Sequence, residues 1–365
     1  MGAIQDIFRD HAADYIKEFG DRIPKEHYKV IYAIRSCRTP DHGVTVYKCE
    51  ECGKPHRIFR SCGNRHCPTC QNNKALEWLD RRLEKELPAP YFMITFTVPA
   101  DLRRFIRSNR RISYGAMFKA SSEAIKTLTK EEKHIGGDVP GFFGVLHTWG
   151  RTLNYHPHIH YVVPGGAWSK EKNQWMPSNP RFFLPVKALS KIYRAKFRDI
   201  MRDEGLFHLI PNQVWREGWN VHIQPGGQGM SLVKYLSYYV FKVAISDHRI
   251  VNVEDGKITF QYKKPKSSRT RHMTLDALEF MRRFLQNALP KGFMKVRYYG
   301  FLNAACSVSI DDIRASIEMT NAFDVIYVEP EVRETIELFC PDCGGKLIYC
   351  YSVLPHGITG YWDTS

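Results

Sequence analysis

The sequence predicts an α+β protein in which helices pack on a β-sheet, together with a cysteine-rich module organised by metal. Stretches rich in aromatic and β-branched residues, typical of strands, are interleaved with amphipathic stretches typical of helices. The two kinds do not alternate strictly, as they would around a parallel sheet. Six of the ten cysteines lie within residues 37–70 among Gly, Pro and polar residues, so metal rather than apolar packing is expected to hold this block together.

The elements follow in order along the chain. Two short helices begin it, because apolar residues recur at helical spacing from Ile4 and again from Val30. The predicted strands lie within residues 89–99, 141–150, 158–166, 219–227 and 257–264. The other predicted helices lie at about 75–87, 101–130, 187–204 and 229–245, with a last one carrying Leu275, Leu278, Met281, Phe284 and Leu285. These changes in composition and hydrophobic pattern along the chain predict three domains, at residues 1–88, 89–300 and 301–365.

The charge of the chain favours a polyanionic partner. Lys and Arg outnumber Asp and Glu by 53 to 38, a formal charge of +15, and nucleic acid is the first candidate. Many basic proteins do not bind DNA specifically, so the charge alone does not identify the partner. The sequence shows no signal peptide and no apolar stretch of about 20 residues, which predicts a cytoplasmic, nucleoid-associated protein without a membrane partner. Cysteines in that compartment are thiols or metal ligands.

Two Cys-x-x-Cys pairs predict a structural zinc site. Cys49 and Cys52 form one pair, Cys67 and Cys70 the other, and four thiolates complete a tetrahedral site with no position open for a substrate. A redox dithiol is the alternative, but such a pair normally occurs singly.

A second zinc site has ligands enough but no decisive spacing. The candidate ligands are Cys37, Cys62, His66 and His42. The alternative is that the cysteines are buried and inert and that the histidines lie on the surface. Basic residues near the ligands and in a later segment are candidates for DNA contact: Arg57, Arg60, Arg65, Lys263, Lys264, Lys266, Arg269 and Arg271.

A third cysteine group lies near the end of the sequence. Cys340, Cys343 and Cys350 form half of a zinc ribbon, which Cys306 or His356 would complete. The alternative is the remnant of a degraded ribbon. One to three structural zinc ions are therefore expected.

Histidines and tyrosines form a candidate catalytic pair of motifs. His158 and His160 flank Ile159, so a strand would present both imidazoles on one face, where they could bind a metal or simply form a polar surface. Downstream, Tyr235 and Tyr239 share a sector of a predicted helix with Lys242, whose charge would help a phenol act as a nucleophile toward phosphate. Ordinary amphipathic packing is the alternative for that helix.

These motifs together resemble transposases of insertion sequences of the ninety-one type. The resemblance is carried by "HPHIH", "YLSYYVFKVAISDHRI", "SCGNRHCPTCQ" and "ITFTVP", in the family's order, and runs from Cys37 to about Gly300. The family consists of two-tyrosine HUH enzymes, which move DNA by a rolling-circle route. It implies an HUH endonuclease domain with a central antiparallel, RRM-like sheet flanked by helices, plus small zinc-binding modules.

The resemblance also implies a chemistry. A single-stranded DNA endonuclease and strand transferase would act at transposon ends and target DNA, with His158 and His160 as the HUH pair and Tyr235 and Tyr239 forming 5′-phosphotyrosine intermediates. A Mg²⁺ or Mn²⁺ ion would polarise the phosphate. Its third ligand is left open among His147, His156, His222 and Gln224. The competing functions are a plasmid relaxase or replication initiator with the same chemistry, and a non-enzymatic zinc-ribbon DNA-binding factor. The oligomeric state is not fixed by the sequence.

Overall fold

The chain folds around a central five-stranded antiparallel sheet, which confirms the predicted α+β class. The structure is a computed structural model and describes residues 2–70, 78, 85–228, 243–264, 267, 269–321 and 337–355. The spatial order of the sheet is β12-β4-β5-β3-β8. Its strands are β3 (Pro90–Thr97), β4 (Phe142–Trp149), β5 (Tyr155–Pro164), β8 (Val221–Gln228) and β12 (Val296–Tyr299).

Helices cover one face of this sheet. They are α3 (Leu102–Ser108), α4 (Arg110–Lys130), α5 (Val186–Asp203) and the single turn α6 (Gln213–Arg216). Alternate residues of the strands, such as Phe96 and Ile159, point into this layer and are fully buried with α4 and α5. The fully buried Tyr161 bonds through its hydroxyl to Ser121 of α4 at 2.7 Å, which satisfies both polar groups. The other face carries the histidines and a smaller buried cluster that includes Phe143, Val145 and Val162.

A second core joins the start of the chain to a later segment. The first two predicted helices are confirmed as α1 (Ala3–Phe19) and α2 (Lys25–Arg35). They pack against α7 (Ala277–Leu285), where the rings of Phe8 and Phe284 meet edge to face at 5.2 Å. This core therefore contains residues from both sides of the predicted domain boundary at residues 88 and 89. The division into domains stays a prediction.

Two three-stranded sheets lie near α7 and between the two ends of the chain. One has the order β11-β10-β9, with strands Thr270–Asp276, Lys257–Lys263 and Ile250–Glu254. The other has the order β13-β1-β2, with strands Leu347–Val353, Val44–Cys49 and Pro55–Phe59. Thus a strand from the C-terminal part lies beside the first hairpin of the chain.

The remaining described elements pack at one side of the central sheet. Strands β6 (Gly166–Ser169) and β7 (Gln174–Pro177) form a hairpin, and α8 (Ile310–Asn321) lies against β7. The Ser316 hydroxyl accepts the backbone N–H of Trp175 at 2.8 Å. No helix among the described residues is long and apolar enough to cross a membrane.

One predicted element boundary was wrong. Leu275 was assigned to a helix but lies on β11, opposite Ile258 of β10. The segment alternates exposed and half-buried side chains, the pattern of a strand with one face toward the protein, and the helix begins only at Ala277. The predicted helices at 75–87 and 229–245 fall mostly outside the described residues.

Candidate catalytic and metal sites

Three histidines meet on the face of the central sheet opposite α4 and α5. His147 of β4 lies directly opposite His158 of β5, and His160 follows two residues along the same strand. Because alternate residues share a face, all three imidazoles point to one side, and a ring nitrogen from each lies within 4.8 Å of the others. Of the four candidates for the third ligand, the structure brings His147 to His158 and His160.

Hydrogen bonds orient two of these rings. His158 donates from Nδ1 to the carbonyl oxygen of His156 at 2.7 Å, which leaves Nε2 with a free lone pair. His160 Nδ1 lies 2.9 Å from the hydroxyl of Thr95 on the neighbouring strand β3. Partners of this kind fix the ring orientation of metal-binding histidines. Thr95 is a residue that sequence reasoning missed, because its proximity depends on strand pairing.

Burial and a nearby cation lower the pKa values of His158 and His156, so both imidazoles are neutral at pH 7. Burial lowers the pKa of His158 to about 4, opposed by its bond to the His156 carbonyl and assisted by the positive charge of Arg103. Burial likewise lowers the pKa of His156 to about 4. Neutral imidazole is the form that binds metal. The Nε of Arg103 is buried without a hydrogen-bond partner among the described residues, so this guanidinium, also missed at the sequence level, keeps a donor for a ligand.

The other ligand candidates lie outside the cluster. His222 of β8 lies opposite Thr95, and Gln224 lies opposite Met93; both side chains are exposed. The ring centroid of His156 is 5.2 Å from that of His158, but its nitrogens are not among the three that face one another.

The predicted catalytic tyrosines, Tyr235 and Tyr239, lie outside the described residues, as does Lys242. The chain is described again from Val243, which lines a small cavity of about 20 Å³ with Trp149 and Lys295. The indole of Trp149 stacks on His147, with ring centroids 4.9 Å apart. Val243 therefore shares this cavity with a side chain that contacts the histidine cluster.

Near Trp149 lies Lys295, whose charge depends on pH in the neutral range. Burial, assisted by the charge of Arg65, lowers the pKa of Lys295 to about 7. Its ammonium lies 5.2 Å from the ring centroid of Trp149. A lysine with such a pKa changes charge near neutral pH, a property that clusters at functional sites.

The donor set fits a divalent cation. Three convergent nitrogens supply half of an octahedron and leave the other positions for water or phosphate oxygen. Imidazole nitrogen is a softer donor than the oxygens that Mg²⁺ prefers, so of the two predicted ions the cluster suits Mn²⁺ better.

The first cysteine cluster differs from the predicted one. Cys37, at the end of α2, meets Cys62, Cys67 and Cys70, and these four sulfurs lie within 4.8 Å of one another. The Sγ–Sγ distances of 3.4 and 3.6 Å from Cys70 to Cys62 and Cys37 exceed the 2.05 Å of a disulfide and fit sulfurs sharing one ion.

The other pair, Cys49 and Cys52, joins Cys340 and Cys343 in a second cluster. The predicted grouping of Cys49, Cys52, Cys67 and Cys70 in one site is thus corrected. The physical reason is that β13 pairs with β1 and brings the C-terminal cysteines to the first knuckle, while the second knuckle is buried beside α1 and α2. Cys350 lies on β13 outside the cluster, exposed to solvent.

The predicted histidine ligands of the second zinc have other partners. His42 Nε2 lies 2.8 Å from the Ser36 hydroxyl. His66 Nε2 accepts the backbone N–H of Leu289 at 3.2 Å, and burial lowers the pKa of His66 well below its usual range. Neither His42 nor His66 therefore belongs to a cysteine cluster.

The predicted DNA-binding residues divide between surface and interior. Arg65 donates to the carbonyl oxygens of Phe293 and Pro290 at 2.6 and 2.9 Å, a contact that holds the loop after α7. The side chains of Arg57, Lys263, Lys264, Arg269 and Arg271 are exposed and Arg60 is half-buried. Lys266 lies outside the described residues.

Comparison with known proteins gives the class of this chain. The family model described as "Transposase zinc-binding domain" matches residues 7–98, and the model described as "Putative transposase" matches residues 141–309. A Sinorhizobium fredii protein named "Putative transposase y4qJ" is 35% identical over 97% of this chain and 98% of its own length. The "Transposase for insertion sequence element IS801" of Pseudomonas savastanoi pv. phaseolicola is 25% identical over 87% of this chain and 82% of its own.

A transposase that carries a zinc-binding domain is the class these matches define. The chain belongs to the insertion-sequence transposases of the ninety-one type, as the sequence motifs predicted. It is a DNA-processing enzyme with structural zinc, and the transposase prediction is preferred over the relaxase and the non-enzymatic factor.

Proposed function

We propose that this transposase nicks and rejoins single-stranded DNA at the ends of its insertion sequence through 5′-phosphotyrosine intermediates. The observation that carries the proposal is the cluster of His147, His158 and His160 on one face of the central sheet. Three convergent imidazoles close to Arg103, whose Nε has no hydrogen-bond partner among the described residues, suit a phosphodiester, because the site combines metal ligands with a cation.

The nucleophiles are proposed from the sequence. One phenol, of Tyr235 or Tyr239, attacks the scissile phosphorus; a bond forms between the phenolic oxygen and phosphorus, and the bond from phosphorus to the 3′ oxygen breaks. The phenolic proton leaves to solvent and the departing 3′ oxygen gains one, so that a 3′ hydroxyl is released. The energy of the broken bond is kept in the phosphotyrosine, and the reverse attack by a 3′ hydroxyl joins strands without a nucleotide cofactor.

The residues around the site divide the remaining tasks. A bound Mn²⁺ or Mg²⁺ ion would polarise the phosphate and lower the cost of charge in the transition state. Thr95 and the His156 carbonyl hold the rings of His160 and His158 in place. Arg103 binds a non-bridging phosphate oxygen, and Lys242 favours the phenolate form of the nucleophile.

The test uses a covalent adduct whose polarity identifies the chemistry. Single-stranded oligonucleotides carrying the ends of the element that encodes this chain are labelled at the 3′ or the 5′ terminus and incubated with protein and Mn²⁺. We expect the 3′ label to remain with the protein in a denaturing gel and the 5′ label to appear as a shorter free strand. The opposite polarity, or no adduct across a range of divalent metals, contradicts the proposal.

Tyrosine variants assign the nucleophiles. Tyr235→Phe and Tyr239→Phe should each leave adduct if both tyrosines act, and the double variant should give none. Tyr238→Phe, a neighbour outside the shared sector, is the matched control and should behave as the wild type. An adduct that persists in the double variant removes both tyrosines from the mechanism.

A further inference from the structure

The two Cys-x-x-Cys segments of the second cluster are built alike, although Cys52 and Cys340 lie 288 residues apart in the chain. In the first, the N–H of Gly53 donates to the carbonyl of Cys49 at 3.1 Å, and the N–H of Cys49 donates to the carbonyl of Lys54 at 3.0 Å. In the other, Gly344 donates to Cys340 at 2.9 Å and Cys340 to Gly345 at 2.7 Å.

Glycine in the left-handed region closes both turns. Gly53 has φ of +70° and Gly344 has φ of +79°, which other residues adopt only with strain. The sequences "CEECGK" and "CPDCGGK" therefore encode the same knuckle. Such a knuckle turns two thiolates toward one point.

The sulfur distances fit a tetrahedral ion. Cys49 Sγ lies 3.5 Å from Cys343 Sγ, and Cys52 Sγ lies 3.8 Å from Cys340 Sγ. Zinc–sulfur bonds of about 2.3 Å place the sulfurs of a tetrahedral site about 3.8 Å apart, so both contacts between the knuckles have the length of a tetrahedron edge. A disulfide is excluded for both pairs, because its sulfurs lie about 2.05 Å apart.

The surroundings match the cluster. Lys54 beside one knuckle and Asp342 within the other form an ion pair at 3.0 Å. Gly345 packs so closely on the first knuckle that a Cβ there would lie 2.9 Å from Cys49 Sγ. His56 Nε2 lies 3.2 Å from Cys340 Sγ, within reach to donate to a thiolate. These contacts hold the knuckles together on a three-stranded sheet.

We propose that Cys49, Cys52, Cys340 and Cys343 bind one zinc ion and form a composite zinc ribbon that joins the two ends of the chain. Two of its ligands lie beyond both family matches, which span residues 7–98 and 141–309. The cluster of Cys37, Cys62, Cys67 and Cys70 binds a separate ion. The proposal concerns structural metal and does not depend on the catalytic chemistry proposed above.

Zinc stoichiometry of the full chain tests the proposal, by metal analysis and mass spectrometry under native conditions. Cys340→Ser and Cys343→Ser should each carry one zinc ion fewer than the wild type. Cys350→Ser is the matched control, a cysteine seven residues beyond Cys343 and outside the cluster, and it should lose none. The ion retained by the Cys37 cluster reports that the rest of the protein has folded.

Double variants identify which cysteines share an ion. Cys49→Ser combined with Cys340→Ser should lose a single ion, because both residues serve one site, whereas Cys49→Ser combined with Cys67→Ser should lose two. The opposite pattern, or full zinc in Cys340→Ser and Cys343→Ser, overturns the proposal. Loss of the ion in His56→Gln with retention in Cys52→Ser would also overturn it, since His56 would then be the ligand.

Discussion

At the scale of single residues, the candidate site depends on side chains that strand pairing brings together. The alternation of His158 and His160 is visible in the sequence, and so is the chemistry of imidazole. The choice of His147 over His156, His222 and Gln224 was not, because it depends on the register between β4 and β5, which many contacts across the sheet set. Thr95 was equally invisible, since its position beside His160 follows from the pairing of β3 with β5.

Removing the Thr95 hydroxyl should weaken the proposed metal site without disturbing the sheet. Thr95→Val keeps the shape of the side chain but removes the bond to His160 Nδ1, so the ring loses a fixed orientation. We expect the affinity for Mn²⁺ to fall by about 10–100-fold, the effect of losing a partner of a metal-binding histidine. Isothermal titration measures it.

Thr97→Val is the matched control for this prediction. Thr97 lies on the same strand and the same face, opposite His158. Its substitution should leave the Mn²⁺ affinity close to that of the wild type. Equal affinities in Thr95→Val and the wild type would show that the hydroxyl does not support the site.

At the scale of elements, the sequence predicts a helix, strand or knuckle best where its own residues show the periodicity or motif. The periodicity of α1 and α2, four of the five strands of the central sheet and the two Cys-x-x-Cys knuckles near the start were visible locally. Strand β12 was not predicted. The cysteine partners were not, because a knuckle contains two ligands and its sequence does not encode which distant segment supplies the other two. In the same way, the sequence predicts no strand in the basic run "RTRH", and only pairing with β10 shows that its last three residues belong to β11.

Helix α2 should make stability depend on pH. His27 is buried on α2, and burial lowers its pKa from 6.5 to about 4, assisted by the charges of Arg110 and Arg107. The unfolded chain therefore binds a proton more readily between pH 6.5 and 4. The contribution of neutral His27 is complete above pH 6.5 and is lost as pH falls through 4.

The prediction concerns the difference between variants. Between pH 7 and 5 the wild type should lose on the order of 2 kcal/mol more unfolding free energy than His27→Leu, from about 1.4 kcal/mol for each pH unit. Urea unfolding at both pH values measures it. His208→Leu, at an exposed histidine, is the control and should follow the wild type. A parallel loss in wild type and His27→Leu would contradict the role of His27.

At the scale of the whole molecule, charge and chain connectivity matter more than any one contact. The formal charge of +15 pointed to nucleic acid from the sequence alone, and the transposase family agrees with it. The hairpin of β10 and β11 carries part of that charge, with Lys263, Lys264, Arg269 and Arg271 exposed near its tip. Its strands pack beside α7.

Neutralising this hairpin should weaken DNA binding in a salt-dependent way. If Lys263, Lys264, Arg269 and Arg271 bind phosphates, replacing all four with Gln should lower the slope of log affinity against log salt by about 0.7 for each phosphate that the variant no longer neutralises. Fluorescence anisotropy with a labelled single strand over a salt series measures the slope. The control replaces four other exposed lysines, Lys130, Lys133, Lys170 and Lys172. Equal slopes in both variants would mean that the hairpin does not bind DNA.

The pairing of β13 with β1 also has a consequence for how the protein is made. The first hairpin leaves the ribosome early with two cysteines in place, and its remaining strand and sulfurs follow only near the other end of the chain. A copy of the gene cut short before Cys340 encodes every residue of the histidine cluster but leaves this hairpin without a neighbour. The sheet can therefore be completed only after translation has passed Cys343. In a shortened product, strand β1 would lack its pairing with β13.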